Sequence, residues 1–95
     1  MPDYAIRVEL RGDPTWEQYD TLHKIMAKGG FLQTISGVDS QGNKKTFNLP
    51  HAIYYGSSAA VPAAVRDWTV KVVQAGVQKN ILVFVVEARN WSLGW

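Results

Sequence analysis

The alternation in residues 4–11 limits the fold more than any other feature of the chain. Tyr4, Ile6, Val8 and Leu10 fall on one side of a period-two pattern, and Ala5, Arg7, Glu9 and Arg11 on the other. That spacing predicts a half-buried strand whose apolar side faces a helix layer and whose Arg7, Glu9, Arg11 side faces water, a partner or a ligand. Gly12, Asp13 and Pro14 end it, and Thr15-Trp16-Glu17-Gln18 has the form of a capping box, so a helix is predicted from Trp16. Trp16, Tyr19, Leu22, Ile25 and Met26 form its apolar stripe, and Gly29-Gly30 supply the left-handed backbone that stops it.

Further along, residues 31–38 read as a second strand. Residues 39–43, Asp-Ser-Gln-Gly-Asn, are turn chemistry that predicts a hairpin returning through residues 44–48 with Lys44 and Lys45 near its tip. Pro50 can donate no ladder hydrogen bond, so a bulge or bend is predicted before the same strand resumes over residues 51–55. A second helix starts at either a Ser58 cap or Pro62, with Val61, Val65, Trp68, Val72 and Ala75 as its stripe and Gly76 as its stop. The last strand, residues 81–89, is apolar on both sides until Glu87, with Leu82, Phe84 and Val86 on one and Ile81, Val83 and Val85 on the other. Such a strand wants cover on both faces.

Strand, helix, strand, strand, helix, strand is the split βαβ pattern, so the expected fold is α+β. It is a ferredoxin-like βαββαβ sandwich with a four-stranded antiparallel sheet and two helices on one face. Its first and third strands are central and its last strand is at an edge. With 95 residues there is room for one domain, residues 1–95, with a Trp-containing tail over residues 90–95. A domain this small leaves apolar surface uncovered, and an exposed apolar edge strand invites aggregation. A homodimer is therefore expected through the sheet face or the last strand, with residues 91–95 as the other candidate cover.

The chain has no cysteine, which removes disulfides, thiolate metal sites and thiol catalysis together. No basic-then-apolar leader opens it and no apolar run reaches membrane-span length, so a cytoplasmic protein without a membrane partner is expected. A net charge of +2 does not by itself announce nucleic acid, and DNA is not predicted as a partner. Glu9, Asp13, Asp20 and His23 lack paired-ligand spacing, so no metal site is expected. Nucleophile-elbow, phosphate-loop and dinucleotide motifs are missing too, and no cofactor is expected.

His23 and His51 are the only side chains that ordinarily titrate near neutrality, and they are the candidate catalytic residues for metal-independent acid/base chemistry. The plain reading of His23 is packing at the edge of the core. His51, after Pro50 in the kinked strand, is either structural or re-aimed toward a site. Arg7, Arg11, Lys44 and Lys45 are the candidate RNA-binding residues, because guanidinium groups on a sheet face can fork phosphate. The competing assignment for the arginines is an Arg7-Glu9-Arg11 ion-pair ladder.

At Tyr4-Ala5-Ile6-Arg7-Val8-Glu9-Leu10, Thr15-Trp16-Glu17-Gln18-Tyr19-Asp20-Thr21-Leu22-His23 and Gly30-Phe31-Leu32-Gln33-Thr34-Ile35, the chain resembles the GhoS-like antitoxin family of type V toxin–antitoxin systems. Asn48-Leu49-Pro50-His51-Ala52-Ile53-Tyr54-Tyr55 and Asn90-Trp91 extend the likeness over most of the chain. The resemblance implies a ferredoxin-like fold related to small CRISPR-associated ribonucleases, and metal-independent endoribonuclease cleavage of a toxin's messenger RNA. Under it, His51 or His23 moves the protons and Arg7 or Arg11 holds the phosphate of single-stranded or messenger RNA. The alternative is a non-catalytic ferredoxin-like dimer that binds RNA or protein.

Overall fold

The computed structural model describes residues 1–38 and 41–89. Its elements are β1 (Asp3–Leu10), α1 (Trp16–Lys28), β2 (Thr34–Val38), β3 (Lys44–Asn48), β4 (Ile53–Ser57), α2 (Pro62–Gly76) and β5 (Ile81–Glu87), an α+β fold of order βαβββαβ. β1 alternates as its sequence requires, with Tyr4, Ile6, Val8 and Leu10 buried. Those four side chains join Leu22 and Met26 of α1 and Val65 and Val73 of α2 in one core, which places both helices on the same side of β1.

The expected single four-stranded sheet is not formed. β4, β1 and β5 make a three-stranded antiparallel sheet in that order, while β2 and β3 make a separate two-stranded ribbon. The cause lies at Pro50. The Ile53 amide donates to the Pro50 carbonyl at 3.1 Å, closing a turn in which Ala52 takes a φ of 61°. Instead of a bulge within one strand there is a full turn between two, so the third strand is cut and its halves choose different partners. β3 pairs with β2, and β4 pairs with β1. One antiparallel bridge, Leu32 to Tyr55, joins the ribbon to the sheet through reciprocal bonds of 2.9 and 2.8 Å. β1 is central and β5 is an edge, as the pattern implied.

The capping box of α1 is complete. The Gln18 amide donates to Thr15 Oγ1 at 3.2 Å, and the Thr15 amide donates to Gln18 Oε1 at 2.8 Å. Gln18 also donates through Nε2 to Gln78 Oε1, and Gln78 Nε2 donates to the carbonyls of Arg11 and Asn80. The helix start is thereby tied to the end of β1 and to the chain entering β5. Thr15→Ala removes one side of the box and is expected to cost about 1 kcal/mol, read as a melting temperature lower by about 4–8 °C.

Two stripes differ from their sequence reading. Trp16 opens α1 but is 79% exposed and contributes nothing to the core. On α2 the fully buried row is Val65, Thr69 and Val73, with Val61 and Ala75 left outside. Thr69 can be buried because its hydroxyl donates to the Val65 carbonyl at 2.8 Å, which satisfies it within the helix. Trp68 and Val72 flank that row, and Trp68 meets Phe31 with ring centroids 5.7 Å apart. Pro62, not Ser58, begins the helix. At the end of α1 only Gly30 has the left-handed φ, whereas Gly29 lies against the Trp68 ring. The predicted cover from residues 91–95 lies outside the described residues.

Candidate functional site

His23 and His51 are 28 positions apart in sequence and meet in space, with ring centroids 5.9 Å apart and ring planes nearly perpendicular. α1 delivers His23 from the helix layer one turn after Tyr19. The Pro50 turn delivers His51, whose ring packs edge-on at 4.3 Å from Tyr19 and 6.1 Å from Trp16. The strained Ala52 that follows, in a backbone region usually left to glycine, is held because its carbonyl accepts from the Val8 amide at 3.0 Å. His51 is thus fixed to the end of β1 by one hydrogen bond at the next residue.

Tyr54 supports the pair from below. Its partner across β1 is Ile6, so its side chain enters the core, and its hydroxyl lies 2.6 Å from His23 Nδ1. Burial, with a smaller contribution from Tyr19, pushes the Tyr54 hydroxyl far above the usual phenol range, so it remains protonated. The contact fixes the imidazole: Nδ1 faces Tyr54 and Nε2 is turned away from it. Partial burial holds His23 below the usual imidazole range, the neighbouring His51 lowers it further, and Asp20 opposes both. His23 is accordingly neutral at pH 7 more readily than an ordinary imidazole.

That shift has a consequence for stability. An unfolded chain takes up a proton at His23 near the ordinary pKa of 6.5, while the folded chain resists it. The unfolded state therefore binds more protons just below that pH, and stability falls as pH falls through this window. The melting temperature should drop between pH 7.5 and 5.5, and the drop should shrink in His23→Gln. Asp3, lowered chiefly by its bonds from Ser57 and Tyr55, acts only below its ordinary value of 3.8. An identical pH slope in the variant would reject the assignment.

The arginines are elsewhere. Arg7 and Glu9 point to the face of β1 opposite the core, and Glu9 lies 3.7 Å from Arg11 in a half-exposed pair. Of the expected ladder only the Glu9–Arg11 rung is present, and Arg7 forms no ion pair among the described residues. Lys44 and Lys45 line a shallow cleft of about 430 Å³ with Ser36, Gly37, Val38 and Thr46 on the β2–β3 ribbon. So the two histidines converge, the two lysines share the ribbon, and the arginines occupy the open sheet face. Trp16, Tyr19 and Tyr54 are site residues that the sequence does not single out. Trp16 and Tyr19 read as part of the apolar stripe of α1, and Tyr54 and Tyr55 are adjacent, so that one of them, unspecified, points inward. The signal for Tyr19 is its position one turn before His23.

Among the described residues no group of three or more His, Cys, Asp or Glu side chains is arranged to hold a metal. Among the described residues no helix is long and apolar enough to cross a membrane. No protein-family model, curated protein or solved structure matches the chain. The class that fold and site define is a small α+β domain with a surface histidine pair backed by a buried tyrosine and walled by aromatic rings.

Proposed function

We propose that the protein is a GhoS-like antitoxin that cleaves single-stranded RNA without a metal, using His23 and His51. The observation that carries this reading is the meeting of these two histidines beside Trp16, Tyr19 and Tyr54. RNA as the substrate rests on the resemblance carried by segments within residues 4–55 and by Asn90-Trp91, and what supports it in the fold is the α+β order with both helices on one side of β1.

With Nδ1–H donated to the Tyr54 oxygen, His23 presents the lone pair of Nε2 as base. It takes the proton of a ribose 2′-hydroxyl, O2′ attacks the adjacent phosphorus, and the P–O5′ bond breaks. Protonated His51 gives its proton to the departing O5′, leaving a 2′,3′-cyclic phosphate and a 5′-hydroxyl. Trp16 and Tyr19 offer ring faces and edges for an unpaired base. Arg7 and Arg11, on the far side of the sheet, take no part in this step.

The test is incubation of the purified protein with U- and A-rich single-stranded RNA in chelator, with the new ends identified. Cyclic phosphate ends support the proposal; intact RNA at micromolar protein overturns it. One observation favours a second reading, a non-catalytic binding domain: the arginines and the exposed Leu82, Phe84 and Val86 share a face that excludes the histidines. Intact RNA retained by the protein would select that reading.

A further inference from the structure

The sheet face opposite the helices carries an apolar surface with Arg7 and Glu9 on its central strand, and Arg11, 3.7 Å from Glu9, just past the end of that strand. Directly paired residues share a face, so Leu82, Phe84 and Val86 of β5 lie beside Glu9, Arg7 and Ala5 of β1. On the other flank Ile53 and Tyr55 of β4 lie beside Arg7 and Ala5, and Leu32 continues the Tyr55 row. Phe84 is 63% exposed, and Leu82, Val86 and Leu32 are exposed too. Single exposed apolar residues are ordinary; a contiguous set across three strands marks an interaction surface.

We infer that a second copy of this chain covers that face, making a two-fold dimer of sheet on sheet. The charges favour self-pairing over a foreign partner. Arg7 and Glu9 are two positions apart on the central strand and point the same way. A two-fold axis lying between the sheets and crossing the strands at the level of Val8 sets the two β1 strands antiparallel. Arg7 then opposes Glu9 of the second copy, and Glu9 opposes its Arg7. The same axis keeps β5 over β5, so Phe84 opposes Leu82 of the second copy and Leu82 opposes its Phe84. Each contact occurs twice, as a closed isologous interface requires, and sheet twist sets the usual aligned crossing. An axis along the strands would instead stack Arg7 on Arg7, which like charges forbid. The interface uses neither histidine, so it stands or falls apart from RNA cleavage.

Sedimentation of the full chain at about 100 μM should give twice the 10.6 kDa chain mass. Phe84→Glu should give the chain mass alone. Arg7→Glu and Glu9→Arg should each weaken dimerisation by about tenfold or more, because each leaves like charges facing across a desolvated interface. The double variant Arg7→Glu/Glu9→Arg reverses both signs and should recover to within a few-fold of the natural chain. All these side chains are outside the core, so circular dichroism should remain unchanged. A monomeric natural chain at that concentration overturns the inference, and so does a double variant no better than the singles.

Discussion

RNA cleavage in chelator at pH 7 should fall by about 10²–10⁴-fold in His51→Ala and by a similar factor in His23→Ala, since each removes one positioned proton carrier. The two should not add. Proton removal from O2′ and proton delivery to O5′ belong to one displacement, so a double variant should be little slower than the worse single. His51 is exposed, and among the described residues its contacts are with the rings of Trp16, Tyr19 and His23, which leaves its variant folded and its lost rate interpretable. Tyr54→Phe keeps the ring in the core and removes only the 2.6 Å contact to His23 Nδ1. It should slow cleavage less than loss of His23 does, because it frees the imidazole without removing it. Arg7→Ala should leave the rate unchanged, since Arg7 faces the other side of the sheet. Unchanged cleavage in both histidine variants would end the assignment, and lost cleavage in Arg7→Ala would mean that the open face, not the histidine pair, holds the phosphate.

The parts of this arrangement that were legible in the sequence are those fixed by neighbours along the chain. The alternation of β1 and the Thr15–Gln18 box are local devices, and both are formed as read. The separation of Arg7 from His23 was implicit in the same patterns, because Arg7 lies on the polar side of β1 while His23 follows Tyr19 on the inward stripe of α1. What could not be read was the meeting of His23 with His51. That depends on where a turn lands after Pro50, and Pro50 announces only a missing donor. Whether the chain bulges and continues, or turns and restarts, is decided by the Ala52 carbonyl finding the Val8 amide and by β4 pairing with β1. The rotation of α2 has a similar origin. Thr69 looks polar in a list of residues, yet bonding to its own helix lets it lie at the centre of the buried row. The join of ribbon to sheet, through Leu32 and Tyr55, is just as tertiary.

That join gives the largest expected change in stability, in Gly56→Ala. A strand glycine replaced by alanine ordinarily gains about 0.5–1 kcal/mol, because the unfolded chain has less freedom to lose. Here the sign reverses. A Cβ at Gly56 would sit 2.3 Å from the Gly30 carbonyl oxygen and 2.8 Å from Phe31 Cδ1. The first is backbone meeting backbone, with no rotamer to turn aside. Neither strand can retreat cheaply: Leu32 and Tyr55, next to these residues, hold the two segments together through their pair of bonds, and Gly56 is also paired with Tyr4 of the central strand. Phe31 is itself buried and wedged against Trp68. The methyl group must therefore open the seam or tilt Phe31 into the core, and overpacking of that kind costs about 1–3 kcal/mol. At the upper end the melting temperature would fall by about 10–20 °C, with a matching fall in the urea midpoint. Opening the seam also moves β4, which carries Tyr54 beneath His23, so the same variant should lose RNA cleavage at temperatures where it is still folded. A midpoint at or above that of the natural chain would mean that the segment at Gly30 is free to lift away, and that β4 is held by β1 alone.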